Sequence, residues 1–108
     1  MTTPTDDNRE LLTVIARMTA RQGKEQELRS ALEELVPTTL AEDGNVNYDL
    51  HVSTDDPATF FFYENWESGE ALDAHLANDH LVAFANRLDD LLVGGADGLA
   101  ITRLSRIA

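Results

Sequence analysis

Between Thr59 and Trp66 the chain reads Thr-Phe-Phe-Phe-Tyr-Glu-Asn-Trp, and no other stretch restricts the fold so strongly. Aromatic residues in a run favour a β-strand, where they pack on the pleated surface. Neighbouring side chains of a strand point to opposite faces. Phe60, Phe62, Glu64 and Trp66 then share one face, and Phe61, Tyr63 and Asn65 the other. Bulk on both faces calls for cover on both sides of the sheet. The next residues, Ser68 to His80, read as a turn and a short helix ending between two histidines. From Thr59 to His80 the chain places three of its four phenylalanines, its single tryptophan and two of its three histidines. Groups that can move protons thus sit beside most of the aromatic bulk, and this stretch is the expected site.

The other elements frame it. Leu11 to Thr19 is apolar and β-rich, with hydrophobic residues on both faces, as in a central strand. After the turn Arg21-Gln22-Gly23, Leu28, Leu32, Leu35 and Val36 form one helical stripe from Lys24 to about Leu40. Pro37 should kink or thin its last turn, and Glu42-Asp43-Gly44 should end it. Val46, Tyr48, Leu50 and Val52 alternate with Asn47, Asp49, His51 and Ser53, which predicts a second strand. Asp55-Asp56-Pro57 is a turn, so the second and third strands form a hairpin. Ser68 can cap the short helix. A second helical piece then carries Leu81, Phe84, Leu88, Leu91 and Leu92, Gly94-Gly95 breaks it, and Leu99 to Ile107 is the last strand. The order β-α-β-β-α-β predicts an α+β, ferredoxin-like fold. Its helices can cover only one face of the sheet, which leaves Phe61 and Tyr63 exposed. A large apolar patch is rare on a monomer, so a second copy is expected to cover it as a two-fold dimer.

At 108 residues the chain makes one domain. Residues 1–9, polar and acidic, should be a flexible tail, with residues 10–108 the folded unit. There is no cysteine, which excludes disulfides, thiolate nucleophiles and cysteine-bound metal centres, and fits a cytoplasmic protein. The net charge of −12 opposes a phosphate backbone or an anionic membrane surface, so neither nucleic acid nor membrane is an expected partner. No apolar run reaches the ~20 residues of a membrane helix.

The segments Ala20-Arg21-Gln22-Gly23-Lys24-Glu25, Glu42-Asp43-Gly44, Tyr63-Glu64-Asn65-Trp66-Glu67-Ser68 and Ala74-His75-Leu76-Ala77-Asn78-Asp79-His80 carry a family likeness. Together with the element order, the chain resembles the antibiotic-biosynthesis monooxygenase domain from about Leu11 to Leu104, and the bacterial quinol monooxygenases within it. The resemblance implies a dimeric α/β barrel and, for oxygenase members, no metal, flavin or haem cofactor. Related enzymes include an isomerase of a sugar derivative and haem degraders. The haem degraders use an asparagine, a tryptophan and a histidine where this chain aligns Ala16, His75 and Ala85, which argues against haem degradation.

His75 lies on the apolar face of the short helix and is the expected catalytic base, since an imidazole titrates near neutrality. A purely structural histidine is the plain alternative. Trp66, Phe62, Tyr48, Asn65 and His80 are the candidate substrate-binding residues. Trp66 and Phe62 offer flat walls, Tyr48 and Asn65 offer hydrogen bonds, and His80 offers a neutral imidazole at a helix start. Core packing and capping are their ordinary roles. A buried Glu64 needs a partner, expected in an ion pair with Arg103, Arg17 or His75. Asp90 is the expected partner of Arg87. His75 and His80 are five residues apart across a helix break, not the four of a zinc helix, so no metal site is expected. The function expected is a cofactor-independent monooxygenase that oxidises a quinol or polyphenol to a quinone with dioxygen. The alternatives are isomerisation of a small hydroxy-carbonyl compound, or small-molecule binding without catalysis.

Overall fold

The computed structural model describes residues 11–108. The expected tail, residues 1–9, lies outside them. Four strands form one antiparallel sheet: β1 (Leu12–Thr19), β2 (Asn45–Val52), β3 (Thr59–Trp66) and β4 (Ala100–Ser105), in the order β2-β3-β1-β4. The helices are α1 (Glu25–Leu40), α2 (Gly69–Ala77), α3 (Asp79–Ala85) and α4 (Leu88–Leu91), followed by a 3-10 turn at Gly95–Gly98. The fold is ferredoxin-like α+β. No described helix is long and apolar enough to cross a membrane.

Strand alternation makes the core. Val14, Ala16 and Met18 of β1 and Phe60, Phe62 and Trp66 of β3 point to the same side and are buried against Leu28, Leu32 and Leu35 of α1, Leu72 of α2 and Phe84 of α3. The other face carries half-buried Ile15 and Phe61, and exposed Tyr63 and Leu104. No helix among the described residues covers it.

Helix α1 runs to Leu40 with Pro37 inside its last turn, the end expected from the sequence. Two local expectations need correction. The alternation of β2 does not begin at Val46. A bulge leaves Val46 unpaired between the pairs Asn45–Trp66 and Asn47–Asn65, so Val46 turns outward while Tyr48 faces the helices opposite Glu64. The last helical piece is two short helices parted at Asn86 and Arg87, with Phe84, Leu88 and Leu91 still buried.

The turn from α1 into β2 is held close to α2. Gly44 has φ of 83°, and a Cβ there would meet the Ala71 Cβ at 2.5 Å. Its carbonyl accepts the Glu67 N–H at 2.8 Å. Both demands, left-handed backbone and contact with a neighbouring helix, select glycine.

Candidate functional site

Between the sheet and the helices is a cavity of about 110 Å³. Phe62, Tyr48 and Glu64 line it from the sheet, Leu72 and His75 from α2, and Phe84 from α3. Ala16 and Ala85 also border it, so small side chains stand where bulk would close the space. A larger groove of about 710 Å³ runs along α1 and β2, but it is open, and its charged residues Arg29, Glu33 and Asp49 are exposed. The chemistry gathers at the smaller cavity.

Ser68 starts α2 by accepting the Ala71 N–H at 3.1 Å, and this sets the helix phase that turns Leu72 and His75 inward. His75 is only 2% exposed. Its Nδ1 lies 2.9 and 3.1 Å from the two carboxylate oxygens of Glu42, at the turn after α1. With Nδ1–H donating to Glu42, the ring is fixed in the tautomer whose Nε2 carries a lone pair. Glu42 does not line the cavity, so Nε2 is the nitrogen left for a ligand there. The imidazole packs against Trp66, ring centres 4.6 Å apart, and meets Tyr48 edge-on at 5.4 Å. Burial pushes the His75 pKa down, against the pull of the Glu42 carboxylate. Near neutral pH the ring is therefore an uncharged proton acceptor.

Glu64 is 4% exposed. Burial pushes its carboxyl up to about 7, although the Trp66 Nε1–H donates to its Oε1 at 2.9 Å and holds the charged form partly in place. The expected ion pair is absent: Arg17 projects from the opposite face, Arg103 reaches Asp73 at 3.5 Å, and His75 is bound to Glu42. Burial and the Glu64 charge raise the Tyr48 phenol, which stays protonated and stacks on Phe62 with ring centres 4.1 Å apart.

Of the six residues singled out in the sequence, His75, Tyr48 and Phe62 meet at the cavity. Trp66 is fully buried one layer behind it, supporting His75 and Glu64 rather than lining the space. Asn65 lies apart from this cavity: alternation turns it to the opposite face, where it is bonded to Thr13 and Asn47. His80 does not line the cavity either. It borders a separate groove with Glu34 and Arg87, and its Nε2 lies 2.9 Å from Glu42 Oε2. Arg87 does not pair with Asp90, whose carboxylate binds Lys24 at 3.2 Å. Sequence reasoning missed Glu42, taken as a helix stop, and undervalued Glu64. Glu42 is 33 residues from His75, so no spacing rule joins them. For Glu64 the signal was present, a carboxylate on the apolar face of a strand.

The profile of the antibiotic biosynthesis monooxygenase family matches residues 11–87. Rv0793 of Mycobacterium tuberculosis, provisionally named a monooxygenase, is 35% identical over 79 residues, 73% of this chain and 77% of that protein. YcnE of Bacillus subtilis, with the same provisional name, is 28% identical over 81% of this chain and 92% of its own. Among solved structures, PA3566 of Pseudomonas aeruginosa superposes with a TM-score of 0.83 at 34% identity, covering 91% of this chain and 95% of that one.

Proposed function

Because this chain belongs to the antibiotic biosynthesis monooxygenase family, we propose that it is a monooxygenase that oxidises a small quinol or phenol to a quinone with dioxygen, using His75 as base. The observation that carries this reading is the Glu42–His75 pair, 2.9 Å long, at the wall of an apolar cavity. A phenolic hydroxyl at His75 Nε2 loses its proton, and Glu42 stabilises the imidazolium that forms. The phenolate passes one electron to dioxygen. The two radicals join at a ring carbon that bears a hydrogen, and the peroxide takes back the proton from His75. That ring hydrogen then leaves as a proton, the O–O bond breaks, and water departs. One oxygen atom ends in the quinone and one in water, and the substrate supplies every electron, so the steps balance without a further reductant.

The cavity sets the size of the substrate. A hydrocarbon cavity of roughly 150 Å³ takes benzene, so about 110 Å³ admits one ring at most, with the walls giving way slightly. A polycycle would have to displace residues such as Leu76, Leu81 or Ile101, which are among the partly exposed ones of the lining. Dry walls also keep water from the radical pair.

The test is oxygen uptake by metal-free protein with a panel of hydroquinones. Turnover should appear with one-ring substrates, and His75→Gln, which can still donate to Glu42, should lower it ~100- to 10,000-fold without a matching loss of thermal stability. Equal turnover in the variant would remove His75 from the mechanism. Conversion of a substrate without oxygen uptake would replace the oxygenase by an isomerase.

A further inference from the structure

We propose that Glu42, His75 and His80 form a site for a divalent first-row transition metal such as zinc, and that metal bound there prevents His75 from acting as a base. The second clause rests on the oxygenase reading above; the first does not.

Three elements bring the donors together: the turn after α1 supplies Glu42, α2 supplies His75, and the first turn of α3 supplies His80. One donor atom from each lies within 4.8 Å of the others. The break at Asn78, which has extended backbone, lets two histidines five residues apart converge. This is why the four-residue spacing rule of zinc helices does not find them. The carboxylate is approached at 2.9 Å by His75 Nδ1 and at 2.9 Å by His80 Nε2. Only the His75 contact is a hydrogen bond. His80 Nε2 is off the line needed for one, and it is a buried polar atom with no hydrogen-bond partner among the described residues. Such an atom is costly to leave unpaired, and a metal bond would satisfy it.

The donor chemistry narrows the ion. Two imidazoles and one carboxylate suit zinc, nickel, copper or ferrous iron, whereas calcium and magnesium prefer oxygen throughout. Bonds of about 2.1 Å place tetrahedral donors roughly 3.4 Å apart, so the two 2.9 Å contacts must open only slightly. The His80 side chain is 23% exposed although its Nε2 is buried, so rotation of that ring would admit the ion and a water as fourth ligand. The chain's net charge of −12 draws cations towards it.

Occupancy changes what His75 can do. In the metal-free protein Nδ1 carries the proton and Nε2 the lone pair. A neutral imidazole that gives its Nδ1 lone pair to a metal must carry its proton on Nε2, so the nitrogen left for the cavity becomes a donor. The ring is a base or a ligand, never both.

Calorimetric titration of chelator-stripped full-length protein with zinc chloride should show one site per chain. Glu42→Gln and His80→Ala should weaken it by more than the ~10- to 100-fold that loss of an outer partner costs. No binding, or equal affinity in His80→Ala, overturns the site. Nitrogen NMR of the His75 ring should show Nε2 changing from unprotonated to protonated on zinc addition, a readout that needs no turnover; an unchanged Nε2 overturns the second clause. Where quinol oxidation is measurable, zinc should suppress it in the wild type, and the ratio of rates with and without zinc should stay near one in His80→Ala.

Discussion

Glu64 is a carboxylate set among hydrocarbon, with one indole N–H for company. Its pKa of about 7 in the fold, against 4.5 in the unfolded chain, means that folding favours the protonated form. The sign follows: below pH 4.5 both states are protonated and the residue is neutral to stability, and as pH rises through 7 the folded state must accept a buried charge. Across that window stability should fall by about 3 kcal/mol through this residue. Glu64→Gln, whose amide oxygen can still accept from Trp66, should therefore melt higher than the wild type near pH 8, with the gap closing towards pH 4. A gap of equal size at both ends would mean that the charge is not the cause. At this scale the sequence disclosed the residue proposed as base but not its setting. His75 could be found from its place on a helical stripe. Glu42 could not, because the bond joins residues far apart in the chain and depends on how a turn closes against a helix.

The turn itself is an element held by contact. Gly44 lies between the carboxylate of Glu42 and the start of β2, and it touches Ala71 on the helix that carries His75. Gly44→Ala would add a left-handed penalty of ~1–2 kcal/mol, and its methyl would push the turn away from α2. The expected outcome is lower stability, with loss of zinc affinity and of oxidation beyond what the stability change accounts for. A variant that is less stable but otherwise unimpaired would separate the turn from the site. Strands and helices were legible for a general reason: period-two and helical patterns record which face is buried. Tyr48, Phe62 and Leu72 were placed by that alone. What the pattern could not show is where it slips. Val46 looks like the start of an alternation, yet the bulge gives it no partner on β3. The run from Leu81 to Leu92 keeps its apolar spacing across a break in the backbone, because Phe84, Leu88 and Leu91 stay buried on both sides of it.

For the whole molecule, the unburied sheet face is the dominant fact. Ile15, Phe61, Tyr63 and Leu104 line up there without a covering layer among the described residues. A homodimer packed sheet to sheet would bury them, and sedimentation at micromolar concentration should give about 24 kDa, twice the 11.9 kDa chain. Phe61→Asp should shift the mass towards one chain; a stable wild-type monomer would end the proposal. The cavity lies on the opposite face, so a monomeric variant should keep the Glu42–His75 bond. The placement of the single tryptophan has a practical consequence. Trp66 is buried, donates to Glu64, and has its ring 4.6 Å from His75. All indole fluorescence of the chain therefore comes from one residue that touches both titrating walls of the site. Intensity and emission wavelength should follow a proton, an ion or an aromatic ring arriving there, so the protein carries its own optical probe and needs no label.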